Sequence, residues 1–81
     1  MITKRLSRGH YNIIDAGSNQ YRVVDVRRNL PDYPVGEVEE GENWGIYEQQ
    51  EGRWMFIAGR NTLKDSLLMI ETWHAASQIG R

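Results

Sequence analysis

Only one segment of this chain, 61–78, spaces its apolar residues as a helix would, and it comes last. A single helix can cover only one face of a sheet, so whatever precedes it must find another way to hide its second face. At about 100° per residue, Leu63, Leu67, Ile70 and His74 stack on one side and should dock on the sheet. Met69, Trp73 and Ala76 form a flank beside that stripe, and Leu68 lies on another side near Thr72 and Ala75. Thr62 is a good N-cap, Asp65 suits the positive end of the helix dipole, and Gly80 suits the exit.

The residues before the helix read as two hairpins. In "HYNIIDAGSNQYRVVDVRR", Tyr11, Ile13 and Ile14 belong to one strand and Tyr21, Val23, Val24 and Val26 to the next, with turn formers at Ala16 to Asn19 between them. In "WGIYEQQEGRWMFIAG", Trp44, Ile46 and Tyr47 precede the turn and Trp54, Met55, Phe56 and Ile57 follow it. Gly52 can take the positive φ a tight hairpin turn needs, but Glu51 before it leaves the turn type open. Between the hairpins, Pro31 and Pro34 cannot donate to a ladder, so the second strand must end near Asn29. Glu37, Glu39, Glu40 and Glu42 then crowd like charges into a surface loop.

The expected architecture is one α+β domain: a four-stranded antiparallel sheet with one C-terminal helix packed on one face. Its parts are a basic N-terminal arm over 1–9, the sheet over 10–58 and the helix over 61–78. The expected core is Ile13, Val24, Ile46, Ile57, Leu63, Leu67 and Ile70. Neighbours in a strand point to opposite faces, so Trp54 and Phe56 share one face and Met55 and Ile57 the other. The helix-free face should then show aromatic side chains to water unless a partner covers it.

Composition narrows the classes. A chain of 81 residues makes one domain. The absence of cysteine rules out a disulfide framework and a thiolate metal site, and fits a cytoplasmic location. "MITKRLSRGH" has no long apolar run, so neither a signal peptide nor a membrane contact is expected. A formal charge of −1 gives no bulk pull toward nucleic acid.

Catalytic chemistry finds little footing, and neither an enzyme nor a cofactor is expected. Glu71 and His74 have the i, i+3 spacing of a carboxylate–histidine metal pair, but nothing else supplies further ligands at a clear spacing. Asp15 and Asp25 read as strand-end carboxylates. The serines have no nucleophile-elbow motif around them, and the glutamates in "GEVEEGENWG" would repel a phosphate.

Two binding readings remain. The first is a non-catalytic protein-interaction module, an inhibitor or adaptor of a larger complex. It would use Glu37, Glu39, Glu40 and Glu42 with Trp54, Phe56, Leu68, Met69 and Trp73, and a homodimer is the simplest partner. The acidic run could also imitate a phosphate backbone. The second reading is a small DNA- or RNA-binding domain using Lys4, Arg5, Arg8, Arg22, Arg27 and Arg28, because a sheet with arginines and aromatics can hold single strands. The strand pattern from "YRVVDVRR" to "TLKDSLLMIE" loosely resembles the AP2-type and integrase-arm DNA-binding domains. "WGIYEQQEGRWMFIAGRNTLKDSLLMIETW", a strand pair running into a capped helix, resembles in style the small accessory proteins of phages and mobile elements, anti-CRISPR proteins among them. That resemblance implies action by binding a host protein, with no functional residue carried over.

Overall fold

Alternating β-branched and aromatic residues build an antiparallel meander in the protein's computed structural model, which describes residues 2–14 and 20–79, the last three by their backbone alone. The strands are β1 (Ile2–Ser7), β2 (His10–Ile14), β3 (Tyr21–Asp25), β4 (Trp44–Gln50) and β5 (Arg53–Arg60), hydrogen-bonded in chain order. The 3-10 turn Val26–Arg28 follows β3, and the helix α1 spans Leu63–Ile79. Val26 therefore lies just past the strand in which its β-branched side chain placed it. The turn expected at Ala16 to Asn19, with Asp15 and Gly80, lies outside the described residues.

The α+β class with one C-terminal helix is as expected, but the sheet has five strands rather than four. The basic arm supplies the extra one: Thr3, Lys4 and Arg5 pair with Ile13, Asn12 and Tyr11 of β2. Every β1 residue is exposed, which is why its sequence carries so little apolar signal. A charged, exposed strand suits a sheet edge, where it discourages pairing with other chains.

Local signals account for the turns. Glu51 and Gly52 have φ of 51° and 77°. Two consecutive positive φ values define the type I′ turn favoured between twisted strands. Thr62 caps α1 by accepting the Asp65 N–H at 3.0 Å through its hydroxyl oxygen.

Both faces of the central strands are covered. Val23 and Val24 point opposite ways, yet they are only 0% and 1% exposed. On the Val23 side, α1 packs over β3, β4 and β5, with Ile70 against Ile13, Tyr21, Val23 and Ile46. On the Val24 side no second helix is needed, because the proline-bearing connection folds back over the sheet. Its Tyr33 is buried against Val24 and Tyr47, with Leu30, Trp54 and Phe56 around them. Gly36 belongs to this cover: a Cβ there would fall 2.5 Å from a Phe56 ring carbon.

The cover is fastened by polar contacts as well as rings. Arg22 donates to the Tyr33 hydroxyl at 2.6 Å, and that hydroxyl lies 2.6 Å from His10 Nε2. Tyr47 donates to the Tyr33 carbonyl at 3.3 Å. Burial, with a smaller contribution from Arg22, lowers the His10 pKa and so favours the neutral ring. A neutral Nε2 can accept the phenol proton while the phenol oxygen accepts from Arg22. Burial and the neighbouring Tyr33 push the Tyr47 phenol up to about 12.

Two sequence expectations change. Trp54 and Phe56 do not form an open face, because the connection lies on them. Met69 and Trp73, the flank expected beside the helix stripe, pack partly buried against the helix-side core, with the Trp73 ring 6.0 Å from Tyr21. Ile57 is 38% exposed instead of buried. The pairing slips by one residue, from Ile46↔Ala58 to Tyr47↔Phe56, and Ile57 becomes the unpaired residue of a bulge while Ala58 takes the inward place. Of the remaining expected core, Ile13, Val24, Ile46 and Ile70 are buried, and Leu63 and Leu67 pack half-buried on the helix-side cluster of Ile13, Ile46 and Ile70.

Candidate functional site

Strand alternation fixes which basic residues can meet. Arg5 pairs with Tyr11, and Trp44 pairs with both Asp25 and Arg60. Tyr11 and Trp44 pack against the helix-side core, so these residues share the helix side of the sheet. No residue of α1, however, lines the corner beyond Val23. There Arg5, Arg8, Gly9, Tyr11, Asp25, Arg27, Arg28 and Trp44 surround an open basin of about 710 Å3. The two aromatic rings stand 6.1 Å apart at 51°.

Gly9 holds the basin's rim together. Its φ of +74° turns the chain from β1 into β2, and its carbonyl accepts the Asp25 N–H at 2.8 Å. A Cβ at Gly9 would fall 2.8 Å from Arg28 Cδ and Nε, and 3.0 Å from Asp25 Cβ. The β1–β2 turn therefore sits tight against the end of β3. This contact brings Arg8 from one turn beside Arg28 from another.

Asp25 organises the second arginine pair. Its carboxylate accepts from Arg27 Nε and Nη2, both at 2.9 Å, and from the Arg27 backbone N–H at 3.1 Å. The Arg27 hydrogen bond holds the Asp25 carboxyl below the usual range against the opposing effect of burial, and the same contact raises the Arg27 pKa. Of five guanidinium N–H donors, this fork uses two and leaves three directed elsewhere. Four arginines against one carboxylate leave the basin with three net positive charges, although the whole chain carries −1.

The other sequence-selected basic residues lie elsewhere. Arg22 is on the covered face, 4.4 Å above the Trp54 ring and bonded to Tyr33. Lys4 pairs with Asn12 and so points to the side opposite Arg5. The basin therefore unites Arg5, Arg8, Arg27 and Arg28 and leaves out Lys4 and Arg22. Sequence reasoning missed Tyr11, Trp44, Gly9 and Asp25 as companions of those arginines. The one available signal was "RGH", a glycine between a basic stretch and a strand, which marks a hairpin turn.

The surfaces expected to meet a protein partner are dispersed. Leu68 is 58% exposed, while Met69, Trp73, Trp54 and Phe56 are engaged within the chain. Glu37, Glu39 and Glu42 line a second open groove of about 990 Å3 along β5, beside Val38, Ile57 and Arg60. Glu40 is exposed outside it. Glu42 accepts the Glu39 N–H at 2.7 Å, which shapes the tip of this loop. Among the described residues, no three His, Asp or Glu side chains gather as metal ligands, and no helix is long and apolar enough to cross a membrane.

Comparison with known proteins leaves the site to be read from its own chemistry, since no family model, no curated protein and no solved structure matches the chain.

Proposed function

We propose that the protein is a non-catalytic binding module, and that its ligand is a nucleic acid held at the basin of Arg5, Arg8, Arg27 and Arg28. The observation that carries this reading is the convergence of four arginines from three separate elements on one open hollow lined by Tyr11 and Trp44. Arginine suits phosphate because its planar fork donates two parallel hydrogen bonds. Glu37, Glu39 and Glu42 line a separate groove along β5, and Asp25 is the one carboxylate among the residues that line the hollow. That separation of charge would orient an approaching polyanion.

Anisotropy of a labelled oligonucleotide, titrated with salt, tests the proposal. Three phosphates on a single strand predict a log–log slope of about −2. Replacing Arg5 and Arg8 together by Gln should weaken binding at least tenfold at low salt. Equal binding by that double variant, or no binding by the wild type, would remove the basin from the account.

A second reading is kept for the β5 groove. Val38 and Ile57, 39% and 38% exposed, lie there between Glu37, Glu39 and Glu42. Apolar groups rimmed by carboxylates suit a basic, partly apolar protein segment. This is the form in which an inhibitor or adaptor role would be exercised.

A further inference from the structure

We infer that the basin takes an unstacked nucleobase together with the phosphates flanking it, so that the preferred nucleic acid is single-stranded; this rests on the nucleic-acid reading above. The arginines alone would serve any polyanion. What they do not explain is the pair of rings among them. Tyr11 and Trp44 are half-buried residues on β2 and β4, and part of each lines the hollow between the arginines. Their rings meet each other at a tilt of 51° with centroids 6.1 Å apart, and do not close into a parallel stack.

The layout follows the covalent order of a single strand. Arg5 is directly beside Tyr11 in the sheet, and Asp25, fastened to Arg27, is directly beside Trp44. Each ring thus has a guanidinium near it, as base and phosphate alternate along a nucleic acid chain. Stacking on an aromatic ring is tolerant of sequence, because every base has a π face. A duplex keeps those faces inside its own stack. It could offer the basin only backbone phosphates, and a hollow fits its convex ridge poorly. A free nucleotide shares the chemistry of base plus phosphate but brings one base to two rings.

The test uses the full-length chain and three probes: a ten-nucleotide single strand, the same sequence as duplex, and a mononucleoside triphosphate. The single strand should bind at least tenfold more tightly than either of the others. Trp44→Phe, which keeps a ring, should bind near the wild type, while Trp44→Leu should lose about tenfold. Both rings pack on the core, so a leucine variant could fail to fold. Photo-crosslinking of a bromouracil-substituted strand to the wild type avoids that difficulty and should attach at Tyr11 or Trp44. If the duplex binds as tightly as the single strand, or crosslinks fall away from both rings, the inference is overturned while the arginine basin stands. If the triphosphate matches the single strand, the ligand is a free nucleotide and the inference is likewise overturned. If none of the three binds, the nucleic-acid reading itself fails.

Discussion

Arg22 and Tyr33 meet across the face of the sheet that α1 does not reach, the guanidinium donating a 2.6 Å hydrogen bond to the phenol oxygen. Through this contact the long connection replaces the second helix, and no external partner is required to hide Val24 and Tyr47. Tyr33→Phe keeps the ring against Tyr47 and Trp54 but removes the oxygen that Arg22 and His10 share. Loss of these partly buried bonds should lower stability by about 1–3 kcal/mol. Urea unfolding checks the value, and an unchanged midpoint would show that the rings alone hold the cover.

The same cluster predicts an acid-sensitive stability. His10 has a folded-state pKa below its ordinary value, so the unfolded chain binds the proton more readily. Its contribution should be complete above about pH 6.5 and decline as pH falls through that value toward the folded pKa. Protonation removes the Nε2 acceptor for Tyr33 and sets a second cation beside Arg22. The Asp25 carboxyl is also shifted downward, so its contribution is lost only in the more acidic range below its unfolded value. Thermal melts of His10→Gln between pH 7 and 5 should show a flatter dependence than wild type; an equal slope would place the sensitivity elsewhere.

Helix positions should divide sharply. Ile70 is 0% exposed and Leu68 is 58% exposed, two residues apart on one helix. Ile70→Ala should cost about 2–5 kcal/mol, whereas Leu68→Lys should stay within about 0.5 kcal/mol. The homodimer expected from the sequence would have Leu68 and the sheet edges to work with, since Met69 and Trp73 are engaged in the core. Sedimentation of the wild type and Leu68→Lys at high concentration decides whether the helix takes part. A dimer that persists unchanged in the variant would move the contact to an edge strand.

Replacing Glu37, Glu39, Glu40 and Glu42 by Gln should leave the fold intact, because all four lie on the surface loop. On the nucleic-acid reading it should strengthen oligonucleotide binding modestly at low salt by lifting long-range repulsion, an effect that disappears near 0.15 M salt. A protein partner at the β5 groove would instead associate more slowly with the variant.

The sequence made the helix, its Thr62 cap, the second hairpin and most of the core legible because each rests on local periodicity or capping. Ile57 was misread because a bulge reverses alternation midway along β5, and a one-residue slip leaves no mark in composition. β1 was missed because an edge strand exposed on both faces has no buried alternation to display. The cover was missed for a related reason: Leu30 and Tyr33 are single apolar residues between prolines, with no period to announce them. Site residues depended on register. Arg5, Arg8, Arg27 and Arg28 were visible as basic groups, but their meeting with Tyr11 and Trp44 is set by strand pairing and by the Gly9 turn, which local patterns do not specify.

Chemical-shift mapping with a short single-stranded oligonucleotide is the most direct test of the central claim, that the arginine–aromatic basin is the ligand surface. The account predicts perturbations at the Trp44 indole, the Tyr11 ring and the backbone of Arg5, Gly9 and Arg27, with Trp54 and Trp73 unmoved. Perturbations centred on Ile57 and the glutamate loop, or on Leu68, would contradict it.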